Sequence, residues 1–138
     1  MRTLGRFLTL TLAFILLASV CPAALAVREE NVSTKLVALT FDDGPHIYTG
    51  ELLDGLKARG AKATFFVVGY NASEYPRLLK RIAEEGHQLG NHSDSHGYLF
   101  RWSESEVRAD LAVVEGYLAA ADGQDGHYLR PPYGSVTD

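Results

Sequence analysis

The chain has 138 residues, of which 46% are hydrophobic and 22% charged, and its formal net charge is −4. That length allows at most one domain, with enough apolar content for a real core. The acidic balance and the lack of a basic patch argue against nucleic acid as a partner and favour a neutral one.

The first 26 residues predict a secretory signal peptide, and so a secreted or cell-envelope location. Arg2 and Arg6 precede a nearly unbroken apolar run at 7–20, and Ala24-Leu25-Ala26 has the A-x-A cleavage pattern. A membrane anchor is the competing interpretation. The run is shorter than the roughly 20 residues that cross a bilayer, which favours cleavage and no membrane contact afterwards.

Cleavage after Ala26 would change the composition of the mature chain. It removes 26 of 138 residues and two of 13 basic residues, which leaves 112 residues with 11 basic against 17 acidic side chains, a net charge of −6. Cys21, the single cysteine, lies in the leader. The mature chain therefore has neither a disulfide nor a cysteine-ligated metal.

The predicted elements begin after a polar linker at 27–35 and belong to one domain over 36–138. A β-prone run predicts a first strand over Leu36–Thr40. Leucines at helical spacing predict a helix over Tyr48–Arg59, with Gly60 as its C-terminal cap. Apolar, β-branched residues at Ala63–Val68 predict a strand buried on both faces, which is typical of parallel sheets.

The middle of the chain continues the alternation. Asn71–Glu74 is expected to be a turn, and Pro76 suits the first position of a second helix that Gly86 ends. Gln88–Asn91 is then a short third strand. A capping box at 103–106 predicts the start of a third helix.

The third helix is expected to reach about Ala121, and His127–Leu129 is predicted as the fourth strand. Four alternations of strand and helix over about 100 residues indicate right-handed βαβ units in a parallel sheet or barrel. In such folds the chemistry collects at the carboxyl ends of the strands. Six polar or aromatic residues follow predicted strands at that end: Asp42, Asp43, His92, His96, Arg130 and Tyr133.

These residue types suit a catalytic metal site. Two histidines four residues apart and one aspartate provide three ligands for a divalent metal and leave open positions for water and substrate. Adjacent residues of a strand point to opposite sides, so Asp42 and Asp43 should have different roles. The aspartate that does not bind the metal would act as a base that takes a proton from the attacking water. Turn chemistry is the plainer interpretation of Asp-Asp-Gly-Pro.

Three segments together resemble the first three motifs of the polysaccharide deacetylases, the NodB-homology or carbohydrate esterase family 4 enzymes. The resemblance covers nearly everything after Leu36. It implies an incomplete, distorted (β/α) barrel of about four βα units and hydrolysis of N-acetyl groups on amino-sugar polymers of the chitin or peptidoglycan kind. The matching segments are Thr40-Phe41-Asp42-Asp43-Gly44-Pro45, 86–96 and Arg130-Pro131-Pro132-Tyr133-Gly134.

The resemblance also implies a role for each matching residue. Asp42 would be the general base, and Asp43, His92 and His96 would bind one divalent metal, zinc in the first place, with cobalt, manganese or nickel as alternatives. Arg130 would orient Asp42 and tune it.

The proline and tyrosine of the third motif would complete the site. The resemblance implies that the Tyr133 backbone N–H helps to stabilise the oxyanion, and that Pro132 and Tyr133 contact the N-acetylated glycan. Which glycan is used and the oligomeric state stay open.

The family's two later motifs, including a histidine that protonates the departing amine, have no counterpart before Asp138, which predicts a truncated chain with little or no turnover. The other histidines near the predicted elements do not suit the role of this acid. His87 and His127 lie at the wrong strand ends, and His46 resembles a rim residue.

Three other functions remain as alternatives. One is a relative that binds glycan or metal without catalysis, although a base beside metal ligands argues against it. A phosphate-processing hydrolase would place its two aspartates two residues apart rather than adjacent. A non-haem iron oxygenase shares the two-histidine, one-carboxylate set but has an all-β scaffold.

Overall fold

The computed structural model describes residues 35–134. The predicted signal peptide, nearly all of the linker and residues 135–138 lie outside the described residues. Within 35–134, no helix combines the length and the hydropathy that crossing a bilayer requires.

Four strands form one parallel sheet in chain order, β1-β2-β3-β4. Each consecutive pair of strands is joined through helices, so the chain advances along the sheet by repeated βα units. This arrangement confirms the predicted α/β fold, an arc of an incomplete (β/α) barrel. The strands are β1 (Thr40–Gly44), β2 (Thr64–Val67), β3 (Gln88–Asn91) and β4 (Tyr128–Leu129).

Four helices connect the strands: α1 (Thr49–Ala58), α2 (Gly69–Glu74), α3 (Pro76–Glu84) and α4 (Glu104–Asp122). Pro76 occupies the first turn of α3, where its missing N–H costs nothing. Ser103 and Glu106 form the predicted capping box of α4, and Gly123 ends that helix with a φ of +74°. Short 3-10 turns lie at Leu99–Arg101 and Pro132–Gly134.

The apolar core lies between the helices and one face of the sheet. Alternate residues of β2 and β3 point into it, as the period of a strand requires, while Phe66 and Gly90 belong to the opposite face. The cluster comprises Leu53, Leu56, Ala63, Phe65, Val67, Ala72, Leu79, Ile82, Leu89, Val114 and Leu118.

Two predicted elements differ from the structure. The first strand is Thr40–Gly44 rather than Leu36–Thr40, because pairing with β2 begins only at Thr40. Leu36 and Val37 are 77% and 83% exposed, so their apolar character does not place them in the sheet. The predicted turn at Asn71–Glu74 is part of α2, since Ala72 is fully buried in the core.

Candidate metal centre

The two adjacent aspartates lie at the end of β1, where the strand is irregular. Its pairing register with β2 shifts between Phe41 and Gly44, and Asp43 adopts a φ of +63°. The side-chain amide of Asn71 donates to the Asp43 carbonyl at 2.7 Å and holds this conformation. A regular strand would send the two carboxylates to opposite faces. The irregularity brings both to one pocket, lined also by His92 and His96.

Asp43 lies against both histidines of the second motif. Its Oδ1 is 3.5 Å from Nε2 of His92 and 3.1 Å from Nε2 of His96. The three donor atoms all lie within 4.8 Å of one another. Two imidazole nitrogens and one carboxylate oxygen are a donor set that borderline divalent metals accept, and three protein ligands leave positions open. The residues therefore fit a catalytic divalent metal.

The other ring nitrogens are fixed by neighbouring groups. Nδ1 of His92 lies 2.6 Å from the Arg130 carbonyl oxygen and donates to it, which leaves Nε2 unprotonated and facing Asp43. Nδ1 of His96 lies 3.3 Å from the hydroxyl of Tyr133. Both imidazoles thus present the same nitrogen to the carboxylate.

The histidine pair is not arranged as the i, i+4 faces of a helical turn. Ser93 and His96 have φ values of +67° and +53°, and the segment forms an irregular loop after β3. The Ser93 hydroxyl accepts the His96 backbone N–H at 3.0 Å and closes the loop. The rings meet edge to face, with their centroids 5.0 Å apart. The two histidines lie close together, as the sequence predicts, but an irregular loop and not a helical turn brings them together.

Arg130 comes from the end of β4 and reaches across the sheet to β1. Its Nη1 donates to Asp42 Oδ1 at 2.6 Å and to Thr40 Oγ1 at 3.0 Å. The guanidinium stacks over the Phe66 ring, with Cζ 3.9 Å from the ring centroid. A planar cation fixed on an aromatic face holds the Asp42 carboxylate in one orientation. Asp42 lies in the same pocket as Asp43 without contacting either histidine at bonding distance.

Substituting Gly90, which lies behind this stack, should weaken the fold. A Cβ at Gly90 would lie 2.6 Å from Phe66 Cδ1 and 3.2 Å from the Tyr128 carbonyl oxygen. Gly90→Ala should lower the free energy of unfolding by about 1–3 kcal/mol, the cost of overpacking. Gly116→Ala is the control, because its Cβ meets nothing within 4 Å and should be neutral or stabilising. Equal urea midpoints for Gly90→Ala and the parent would contradict the packing argument.

The third motif contributes differently from the prediction. Pro131 lines the pocket, whereas Pro132 is buried and does not. The expected contact between Pro132 and the glycan stays a prediction, and the burial of Pro132 means that such a contact would need more than the pocket surface seen here. Tyr133 lines the pocket, is 57% exposed and has a φ of +62°.

An aromatic column supports the Tyr133 ring. Tyr98 stacks on it with centroids 4.2 Å apart, and the Arg101 guanidinium covers the Tyr98 ring at 4.7 Å. The sequence motifs did not identify Tyr98, since an isolated aromatic residue in a loop carries no periodic signal. Asn71 and Asp110, which bind the backbone of the site, were missed because a single polar residue in a helix gives no sequence signal of a distant backbone partner.

The two histidines judged to be at the wrong strand ends are engaged elsewhere. His87 is 7% exposed and accepts the Ala63 N–H through Nδ1, and its burial, followed by the nearby Lys62 charge, lowers its pKa. His127 lies between Glu115 and Asp122, at 2.8 and 3.0 Å. Neither of them lines the pocket.

The described residues form a parallel α/β sheet with a possible Asp-His-His metal site at the carboxyl ends of its strands, and sequence comparison places the chain in one family. The family model described as polysaccharide deacetylase matches residues 29–138. The chain therefore belongs to the polysaccharide deacetylase family.

Individual relatives agree with this assignment. The chain is 46% identical over 103 residues to a peptidoglycan-N-acetylglucosamine deacetylase of Bacillus cereus, covering 74% of this chain and 38% of that protein. It is 43% identical over 102 residues to a chitin deacetylase of a Pestalotiopsis species, covering 72% and 34%. The solved peptidoglycan deacetylase of Bacillus subtilis superposes with a TM-score of 0.72 at 40% identity, over 77% of this chain and 53% of that structure. The chain thus spans 38% and 34% of the length of these two curated relatives and 53% of the solved chain.

Proposed function

We propose that Asp43, His92 and His96 bind one divalent metal ion, zinc in the first place, and that the protein hydrolyses N-acetyl groups of amino-sugar polymers. The observation that carries the proposal is the approach of Asp43 Oδ1 to both Nε2 atoms, at 3.5 and 3.1 Å. Family membership and the substrates named for the relatives, peptidoglycan and chitin, support the choice of substrate class.

The remaining pocket residues have complementary tasks. Asp42 accepts the proton of the attacking water, because its carboxylate lies beside the proposed metal ligands and is oriented by the hydrogen bond from Arg130. The backbone N–H of Tyr133 donates to the oxyanion that develops on the acetyl oxygen. When bound, the divalent ion supplies Lewis acidity that polarises the acetyl carbonyl and lowers the pKa of water.

The net reaction adds water across the amide bond. The water oxygen bonds to the acetyl carbon, the bond between that carbon and the sugar nitrogen breaks, and a proton reaches the nitrogen. The products are acetate and a free amine. Among residues 35–134, the histidines that line the pocket are the two proposed ligands.

Two substrates test this function, one whose leaving group needs a proton and one whose leaving group does not. Acetate release from an N-acetylglucosamine oligomer by the zinc-loaded chain should be slow, because an amine leaves poorly without a proton. An aryl acetate releases a phenolate, which needs no proton to leave. Its zinc-dependent hydrolysis, relative to the uncatalysed rate, should therefore be accelerated much more than that of the oligomer. Both rates should fall to background after chelation and return with zinc.

Two outcomes would contradict the proposal. The first is a chain that binds no zinc, or that hydrolyses the aryl acetate equally well after chelation. The second is zinc binding with no hydrolysis of either substrate, which would favour a relative that binds glycan or metal without catalysis.

A further inference from the structure

The loop that carries both proposed histidine ligands lacks the regular hydrogen bonding of a helix or strand. It leaves β3 at His92, turns through left-handed conformations at Ser93 and His96, and precedes the 3-10 turn at Leu99–Arg101. Within the loop, the Ser93 hydroxyl accepts the His96 N–H. Contacts from neighbouring helices add to this bond in setting the relative position of the two imidazoles.

A single carboxylate on α4 supplies such a contact. Asp110 accepts the backbone N–H of Asp94 on Oδ1 at 2.7 Å and that of Ser95 on Oδ2 at 3.2 Å. These two consecutive amides lie between the two histidines in the chain. Hydrogen bonds to an ionised carboxylate are about twice as strong as neutral ones. Asp110 thus fixes the backbone of the segment that sets the spacing of the rings.

The helix that carries Asp110 is itself well anchored. Ser103 and Glu106 close its amino end with a capping box, and Val114 and Leu118 are fully buried in the core. Gly69, at the start of α2, lets the loop approach from the other side, because a Cβ there would lie 3.0 Å from the Asp94 Cα. The loop is consequently held between two helices, with Asp110 as its anionic anchor.

We propose that Asp110 is a positioning residue for the metal centre: by binding the Asp94 and Ser95 amides it holds His92 and His96 at the separation that one cation requires. This inference rests on the proposed metal-binding function. It assigns to α4, which contributes nothing to the pocket lining, a part in metal affinity.

The test compares zinc affinity and metal-free stability in three variants. Asp110→Ala removes both acceptors, and the isosteric Asp110→Asn keeps one acceptor oxygen. Glu104→Gln is the control, because this exposed carboxylate on the same helix pairs with Arg108 and not with the loop. Zinc affinity is measured by competition with a chromophoric chelator, and unfolding of the metal-free and zinc-loaded chains by circular dichroism.

The expected result is a graded loss of zinc affinity. Asp110→Ala should bind zinc at least about tenfold more weakly, as is typical when a group supporting metal ligands is removed. Asp110→Asn should be intermediate, and Glu104→Gln should match the parent. The rise in melting temperature on zinc loading should shrink in the same order. A role limited to stability would lower the metal-free melting temperature and leave that rise unchanged.

Measuring zinc affinity at high salt concentration distinguishes two explanations of a loss in Asp110→Ala: a misplaced loop, and weaker long-range attraction between the chain and the cation. In about 1 M sodium nitrate the Debye length is about 3 Å, so a long-range effect of the lost negative charge would disappear. The affinity loss in Asp110→Ala should persist under these conditions.

Three results would overturn the inference: a parent-like affinity in both folded Asp110 variants, a loss that vanishes in high salt, or an equal loss in Glu104→Gln. If the parent itself binds no zinc, the proposed function fails, and the role of Asp110 fails with it. A parent that binds zinc beside parent-like variants leaves the proposed function standing and refutes only the inference.

Discussion

Asp43→Asn should lower the zinc affinity of the chain by at least about 100-fold while leaving its metal-free fold nearly unchanged. Asparagine tolerates the left-handed backbone that Asp43 adopts, so the variant tests the ligand and not the backbone. Apparent zinc-binding free energies of about 10–16 kcal/mol are shared among four ligands in structural sites, or about 3 kcal/mol each. The Asp43 side chain is 61% exposed, so little packing is lost.

Asp42→Asn is the matched control, because it makes the same chemical change one residue earlier. Its carboxylate pairs with Arg130 rather than with the histidines, so zinc affinity should stay within a few-fold of the parent. Aryl acetate hydrolysis should nevertheless fall by about 100-fold or more, the usual contribution of a general base. A comparable loss of zinc affinity in both variants would show that the two aspartates share the ligand role, and the division of tasks would be wrong.

The elements that the sequence predicted best have strong local signals. The third strand was predicted as Gln88–Asn91 and is found there, bounded by a helix-ending glycine and by polar residues. The capping box at Ser103 likewise marked the start of α4 correctly. Both signals act within a few residues of the chain, which is the range over which sequence patterns report reliably.

The boundaries that failed depend on partners distant in the chain. The apolar run beginning at Leu36 has the composition of a strand, but β2 offers pairing only from Thr40 onward. Leu36 and Val37, which precede the paired residues, stay exposed. Composition reports the tendency to form a strand, whereas pairing decides where it begins.

In the candidate site, too, local patterns were predictable from the sequence and contacts with distant partners were not. The positions of Asp42, His92 and Arg130 at strand ends were predictable from the alternation of elements. The left-handed backbone at Asp43 was not, since it depends on Asn71 donating to the Asp43 carbonyl from a different element. Side chains that shape the backbone of the site therefore escape a motif-based interpretation.

His127 joins α4 to the start of β4 through an ion-paired cluster. Its side chain is 4% exposed, and its two ring nitrogens lie 2.8 Å from Glu115 Oε2 and 3.0 Å from Asp122 Oδ2. Burial of the ring opposes its charging, but the hydrogen bonds that the ring donates to the two carboxylates outweigh burial and raise the pKa of His127 above 6.5. Glu115 also accepts a hydrogen bond from the side-chain amide of Asn91, next to the loop that carries His92 and His96.

Removing this imidazole should destabilise the fold in a pH-dependent way. His127→Gln should lower the free energy of unfolding at pH 6 by about 3 kcal/mol, the lower end of the range for breaking a buried ion pair, because Glu115 keeps partial solvent access. A raised pKa means that the folded chain binds the proton more tightly. The stabilisation is therefore complete below about pH 6.5 and is lost as the pH rises through the folded value.

Urea titrations between pH 6 and 9 should thus show the parent and His127→Gln converging as the pH increases. His46→Gln provides the control, because this exposed imidazole lies against the rings of Tyr48 and Tyr75, away from the His127 cluster, and its loss should change the free energy of unfolding little. His87, whose pKa is lowered, affects stability in a different pH range. Its contribution to the free energy of unfolding falls as the pH drops below 6.5, so the pH dependence above that value is due to His127 rather than to His87. A constant stability gap between the parent and His127→Gln from pH 6 to 9 would mean that the ring is neutral in the fold and that the two carboxylates do not hold its proton.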